Sequence, residues 1–367
     1  MHEHMPMDRA IMTSDLEHAT EDMERSAPPG HVVRLREWGS ERHHLLPRAD
    51  ATDDIDAPHK IRVAGDHAIS LTACDGKWTI RAVGSTRLWA GGAEQHAVVL
   101  VPGIEVRVGR TLLLVEAERE VRLRAYCQRQ LGWGADRQVA VDLALRALRL
   151  ARTGRVAMVL QGDGDLVPIA HGLHRRVLGL DSPFIVCDPR RTETPASVRS
   201  PTNMLSAIAA VAAGDGGSIC IRDRRLPKDF HKALTQLIDP GCNVQLYMCI
   251  ERARKELVLT GVVPMELPPL RLREAELPQI IEEYVKDAIA ELEVSQDCFT
   301  KEDQSWIRRH ARSMGDIEKA ARRIVAIRST ANISQAAELL DMAQVSLTRW
   351  VGRRPLMQGT RKRSSAA

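Results

Sequence analysis

Gln344, Ser346, Thr348 and Arg349 bring an amide, two hydroxyls and a guanidinium into one short stretch of chain. Such groups hydrogen-bond base edges and phosphate oxygens of duplex DNA. Arg353 and Arg354 follow and add charge suited to a phosphate backbone. This chemistry needs one helix to present the groups and a second to brace it. The stretch NISQAAELLDMAQVSLTRWV, residues 332–351, has that form. Ala336, Ala337, Leu339 and Leu340 are the apolar positions of a first short helix, and Val345, Leu347 and Trp350 those of a second. Asp341-Met342-Ala343 leaves room only for a turn, and the paired alanines allow close crossing. The spacing predicts a DNA-binding helix-turn-helix over 329–356 and a basic tail over 357–367. The competing reading is a structural helical hairpin with a solvated tail.

Charge agrees with DNA. Residues 329–367 carry six Lys or Arg against two acids, a net +4, and the whole chain is also +4. The remainder is balanced, so the basic surplus sits on the supposed recognition helix and its tail.

A second place where chemistry is conceivable is Gln161-Gly162-Asp163-Gly164-Asp165-Leu166, between an apolar strand and a helix. In a phosphate-binding loop, backbone amides surround the phosphates and a Lys-Ser/Thr pair opens the helix. Here there is no lysine, and Asp163 and Asp165 would oppose phosphate by like charge. As a carboxylate pair they read better as solvated acids. Asp53, Asp54 and Asp56 lack the flanking ligands of a metal loop. The seven cysteines are odd in number and form no Cys-x-x-Cys pair, which argues against zinc and a disulfide framework and for a reducing cytoplasm. Neither a Ser-His-Asp nor a Cys-His arrangement can be read, so no catalytic residue and no metal site is assigned.

The elements that would position these groups follow from periodicity. At 367 residues, 44% of them hydrophobic but only 3% aromatic, the chain can fill two to four domains with aliphatic cores. It holds no apolar run long enough to span a membrane. Residues 1–30 have mixed charge and read as a disordered leader rather than a signal peptide. Over 31–118, short alternating runs with Asp75-Gly76 and Pro102-Gly103 turns predict a β-sandwich. Helices over 136–152, 166–178, 204–213 and 229–238 alternate with apolar strands, which predicts a parallel sheet. Beyond Val263 the pattern is helical: 277–292, 301–311, 316–327 and then the helix pair.

The run VVPMELPPLRLREAELPQIIEEYV resembles the join between the α/β core and the helical lid of bacterial enhancer-binding proteins, the AAA+ activators of sigma-54 RNA polymerase. Pro264, Leu267, Pro268, Pro269, Leu270, Arg271 and Arg273 match, with Leu277-Pro278 at the right distance. That family ends in a Fis-type helix-turn-helix. The front end resembles a forkhead-associated (FHA) domain, in VLVPGIEVRVGRTLLLVEAE and HAISLTACDGKWTI. The resemblance implies a multidomain fold: an FHA-like sandwich over 31–118, an AAA+ α/β core over 136–262, a helical lid over 263–328 and the helix-turn-helix.

The family's working residues are altered. Gly162, Asp163, Gly164 and Asp165 stand in the phosphate loop without a lysine. Arg222 replaces the first acid of the Mg²⁺ pair and only Asp223 remains. In Gly315-Asp316-Ile317-Glu318-Lys319-Ala320, Glu318 replaces the nucleotide-sensing arginine, and no counterpart of the sigma-54 loop occurs between Phe184 and Gly217. These losses imply a dead ATPase-like centre with no cofactor. ATP and Mg²⁺ enter only under the alternative, a working activator that binds ATP unusually. In the FHA-like part, His67 and Ser85-Thr86 match, but Ala64 stands for the serine and the asparagine is absent. A non-binding contact surface and a phosphopeptide site both remain open there. The expected function is transcription regulation through double-stranded DNA, with a protein or phosphoprotein partner at the front and a homodimer as the simplest assembly. A further alternative is an FHA-type phosphoprotein adaptor with incidental DNA contact. For the dimer, the stripe Ile317, Ala320, Ala321, Ile324 and Ile327 either supplies the contact or packs inside the lid.

Overall fold

The computed structural model describes residues 31–46, 59–63, 67–74, 77–153, 157–194, 201–251 and 264–353. The leader 1–30, Ala64, the acids Asp53, Asp54 and Asp56, the Asp75-Gly76 turn, Arg354 and the tail 357–367 lie outside the described residues.

Alternating apolar residues build the first unit from ten strands: β1 (Val32–Glu37), β2 (His43–Leu45), β3 (His59–Arg62), β4 (Ala68–Cys74), β5 (Lys77–Val83), β6 (Leu88–Ala90), β7 (Ala93–Gln95), β8 (Ala97–Val99), β9 (Glu105–Val108) and β10 (Thr111–Ala117). They pair antiparallel in two sheets, ordered β2-β1-β10-β9-β6-β7 and β3-β4-β5-β8. Leu35, Val106 and Leu113 of one sheet and Ile69, Trp78 and Ile80 of the other fill the shared core. This is a two-sheet sandwich. The strands β2, β6 and β7 are three residues each, too short for alternation to announce them.

From β10 the chain runs straight into α1 (Glu118–Leu131), an element the periodicity did not predict. Its inner face buries Arg124, Arg129 and Gln130 beside Leu123, Tyr126 and Cys127, so no clean apolar stripe exists to read. Arg129 reaches Glu283 at 2.9 Å and Asp287 at 2.6 Å, and Arg124 reaches Glu116 at 2.8 Å. α2 (Gln138–Thr153) then packs against α1. The two helices join the sandwich to the rest through a buried quartet. Asp142 accepts from both Arg36 and Arg124, and Glu116 accepts from Arg36 at 3.2 Å.

The second unit is a parallel sheet of β11 (Met158–Gly162), β12 (Phe184–Cys187), β13 (Thr202–Met204), β14 (Ser218–Arg222), β15 (Gln245–Glu251) and β16 (Met265–Glu266), ordered β13-β12-β14-β15-β11-β16. Alternate strand residues face opposite layers. Leu160, Val186, Cys220 and Tyr247 pack toward α1, α2 and α3 (Val167–Leu178). Val159, Ile185, Ile219 and Met248 pack toward α4 (Ala207–Ala213) and α5 (Phe230–Leu237). This is an α/β unit with crossover helices on both faces. The helix expected over 204–213 starts later, because Met204 belongs to β13 and Ser206 caps α4 by accepting from the Ala209 amide.

Among the described residues five helices follow: α6 (Leu277–Leu292), α7 (Lys301–His310), α8 (Met314–Ser329), α9 (Ile333–Leu339) and α10 (Gln344–Arg353). Thr300 caps α7, Ser313 caps α8 and Asn332 caps α9. α8 lies along α6, and Ile317, Ala320, Ala321 and Ile324 are all buried there. Ile327, the last residue of that stripe, is half-buried against the same core. None of the described helices is long and apolar enough to cross a membrane.

Candidate functional site

The first candidate is the outer face of α10. Ala336, Ala337 and Leu340 of the α9 segment and Leu347 of α10 are buried, and the two helices meet across a turn where Asp341 takes φ +50°. That left-handed conformation is one that Asp tolerates better than most residues. Trp350 packs 5.4 Å from the Trp306 ring of α7 and lies under the Arg323 guanidinium at 5.2 Å. With its inner side fixed this way, α10 turns Gln344, Ser346, Thr348 and Arg349 to solvent. Arg353 ends the helix. One expectation needs correction. Val345 is not a core position but is 67% exposed, because at 100° per residue it falls opposite Leu347 and Trp350. It stands one turn before Arg349 on the same outward face, so it joins the candidate set.

The second candidate lies at the carboxyl ends of the parallel strands, the usual place for ligands in such sheets. Gly162–Leu166 connects β11 to α3. The Asp165 carboxylate accepts from the Val167 amide at 3.2 Å, from Arg222 at 2.6 Å and from Lys319 of α8 at 3.0 Å. Burial alone would raise its pKa, but Lys319 and Arg222 hold it below the usual carboxylate range. Arg222 also reaches Asp188 at 3.3 Å, and Asp188 takes Arg225 at 2.5 Å and Arg191 at 3.4 Å. Asp188, fully buried at the end of β12, drew no notice in the sequence. Asp223 is buried at the start of a 3-10 turn after β14. Gly164 (φ +79°) lies so close to the start of α8 that an added Cβ would stand 2.6 Å from the Ser313 Cβ. Asp163 belongs to the same turn.

Glu318 does not join this cluster; its neighbour Lys319 does. Glu318 instead lines a cavity of about 430 Å³ with Tyr126, Arg176, Tyr284, Glu291 and Arg322. Burial pushes its carboxyl up to about 7, against the pull of Arg322 and Lys319. A carboxyl whose pKa rises on folding stabilises fully below its unfolded value, and that contribution is lost as pH rises through about 7. Glu318→Gln is therefore expected to raise stability at pH 8 by on the order of 1–2 kcal/mol and to change little at pH 5. Urea denaturation at the two pH values checks this, and equal effects at both would refute it.

In the sandwich, His67 packs against the β9–β10 turn. A Cβ on Gly109 would stand 2.1 Å from His67 Nε2, so the ring fills the space that the glycine leaves. Thr86 is buried and Ser85 is exposed. His67, half-buried, thus braces the turn. Among the described residues, no group of three or more His, Cys, Asp or Glu is placed to hold a metal ion.

No family model matches the chain. No curated protein matches it either. Among solved structures, NtrX from Brucella abortus in complex with ATP is similar at 13% identity, over 64% of this chain and 72% of that one, with a TM-score of 0.34. The same protein in complex with ADP gives 14% identity, 64% and 71% coverage and a TM-score of 0.34.

Proposed function

We propose that this chain is a DNA-binding transcription regulator built on the plan of the sigma-54 activators, with α9 and α10 as its helix-turn-helix. The AAA+-like α/β unit and lid act as a scaffold that neither binds nor hydrolyses ATP. The FHA-like sandwich receives a protein or phosphoprotein partner. A homodimer, formed by a surface other than the buried α8 stripe, would place two helix pairs on two half-sites. One observation carries the reading: α10 offers solvent an unbroken face of Gln344, Val345, Ser346, Thr348 and Arg349 while Leu347 anchors its other side. A helix that only braced a hairpin would have no need of this set.

The test is selection of bound fragments from a genomic library with purified protein, followed by binding to the selected duplex and a scrambled one in rising salt. Preference for the selected duplex that persists at higher salt supports specific readout; equal affinity rejects it. On the selected duplex, Arg349→Ala is expected to cost about 1–3 kcal/mol, the range of one good base contact. Val345 sits where an apolar side chain meets a thymine methyl. Replacing thymine by uracil in the site should therefore weaken the native protein and leave Val345→Ala indifferent.

A further inference from the structure

We propose that the Asp165 carboxylate is a built-in anion that locks the lid helix α8 to the parallel sheet, in the position where a nucleotide-binding turn receives phosphate. This deepens the scaffold reading by naming what replaces the nucleotide.

The donor set is the first argument. A backbone amide at a helix start together with two cations is the combination that recognises phosphate. Here the Val167 amide, Arg222 and Lys319 all converge on the one carboxylate, at 3.2, 2.6 and 3.0 Å. They come from three elements, α3, β14 and α8, so the carboxylate ties sheet, crossover helix and lid together. Arg222 is aimed and not merely near. Asp188 grips its other nitrogen at 3.3 Å and is itself held by the Arg190 amide at 3.1 Å and by Arg225 at 2.5 Å.

Packing is the second argument and is independent of charge. The start of α8 rests directly on the turn. A Cβ on Gly315 would stand 2.8 Å from the Asp165 carbonyl oxygen, and one on Gly164 would stand 2.7 Å from the Ser313 hydroxyl oxygen. The space over the turn is thus filled by Ser313 and Gly315. The two charged partners of Asp165 act on different sides of it. Arg222, 17% exposed, fixes the carboxylate to the sheet, and Lys319, 45% exposed, is the donor from α8 through which the tie to that helix runs.

The test uses the full chain with Asp165→Asn, Asp165→Gly and Lys319→Ala. Asp165→Asn keeps the shape and removes the charge, and Lys319→Ala changes an exposed side chain, so neither threatens the fold. Hydrogen exchange is followed at the first turn of α8, and each protein is titrated calorimetrically with inorganic pyrophosphate and, separately, with ATP and Mg²⁺. For Asp165→Asn and Asp165→Gly, exchange at α8 should rise about 2- to 5-fold, as expected for loss of a partly exposed ion pair, and Lys319→Ala should match it. Asp165→Gly should bind pyrophosphate with a Kd below roughly 1 mM, while the native chain gives no heat. Unchanged exchange at α8 in both Asp165 variants would overturn the lock. Micromolar ATP binding by the native chain would overturn the scaffold reading instead, and the exchange result would still judge the lock.

Discussion

Asp142→Ala is expected to cost about 3–5 kcal/mol of stability, the range found when one partner of a buried ion pair is removed. Asp142 is fully buried and accepts from Arg36 and Arg124, which are 2% and 3% exposed, and from the Gly39 amide at 2.7 Å. Without it two buried guanidiniums share the Glu116 carboxylate, with Arg36 keeping the Glu37 and Ser40 carbonyls. Urea denaturation at neutral pH measures the loss, and a change below about 1 kcal/mol would show that water or rearrangement compensates. Acid should weaken the same junction. Burial tends to raise the Glu116 pKa, but Arg124, Arg34 and Arg36 depress it overall. A depressed carboxyl contributes stability that is present above its unfolded pKa and lost as pH falls through the folded one. The junction should therefore loosen only below the ordinary carboxylate range.

Leu347→Ala is expected to cost about 2–5 kcal/mol, felt mainly as local melting of α9 and α10. Leu347 is fully buried between them, and helices of seven and ten residues do not persist without packing. Val345→Ala, two positions away, should stay within about 0.5 kcal/mol because its side chain is already in solvent. Hydrogen exchange over residues 333–353 distinguishes the two. Equal effects would mean that α10 is rotated from the orientation described. If α10 reads DNA as proposed, specific binding should fall with Leu347→Ala even though this residue faces the core.

That contrast also shows what was legible in the chain. Apolar period announced α6 to the residue and α3 to within one, because each has one apolar face and polar flanks. It failed at α1, where Arg124, Arg129 and Gln130 are buried by pairing with acids and a tyrosine rather than by being apolar. It also misplaced Val345, since three apolar residues over six positions fit more than one helical stripe. The turn at Asp163 and Asp165 was visible, but its chemistry was not. Read alone, Asp165 repels phosphate; in space it faces Arg222, 57 residues on, and Lys319, 154 residues on. Pairings at that separation leave no periodic trace. Glu318 was noted for the charge it replaces, yet one residue decides which side chain meets the turn, and Lys319 is the one that does.

The core that holds Leu347 and Ala336 also contains Leu160 and Tyr247 of the parallel sheet. Between α8 and α9 lie only Thr330, Ala331 and Asn332, with the Thr330 hydroxyl bonded to the Ala326 carbonyl and the Asn332 side chain capping α9. No slack tether separates the helix pair from the body. If α10 reads a duplex as proposed, it does so as a tooth fixed to one continuous block, and seating it in a groove sets the compass bearing of the sandwich as well. Two such blocks on one duplex would be phased by the helical repeat, so a half-turn insertion between their sites would swing one sandwich to the opposite side of the DNA.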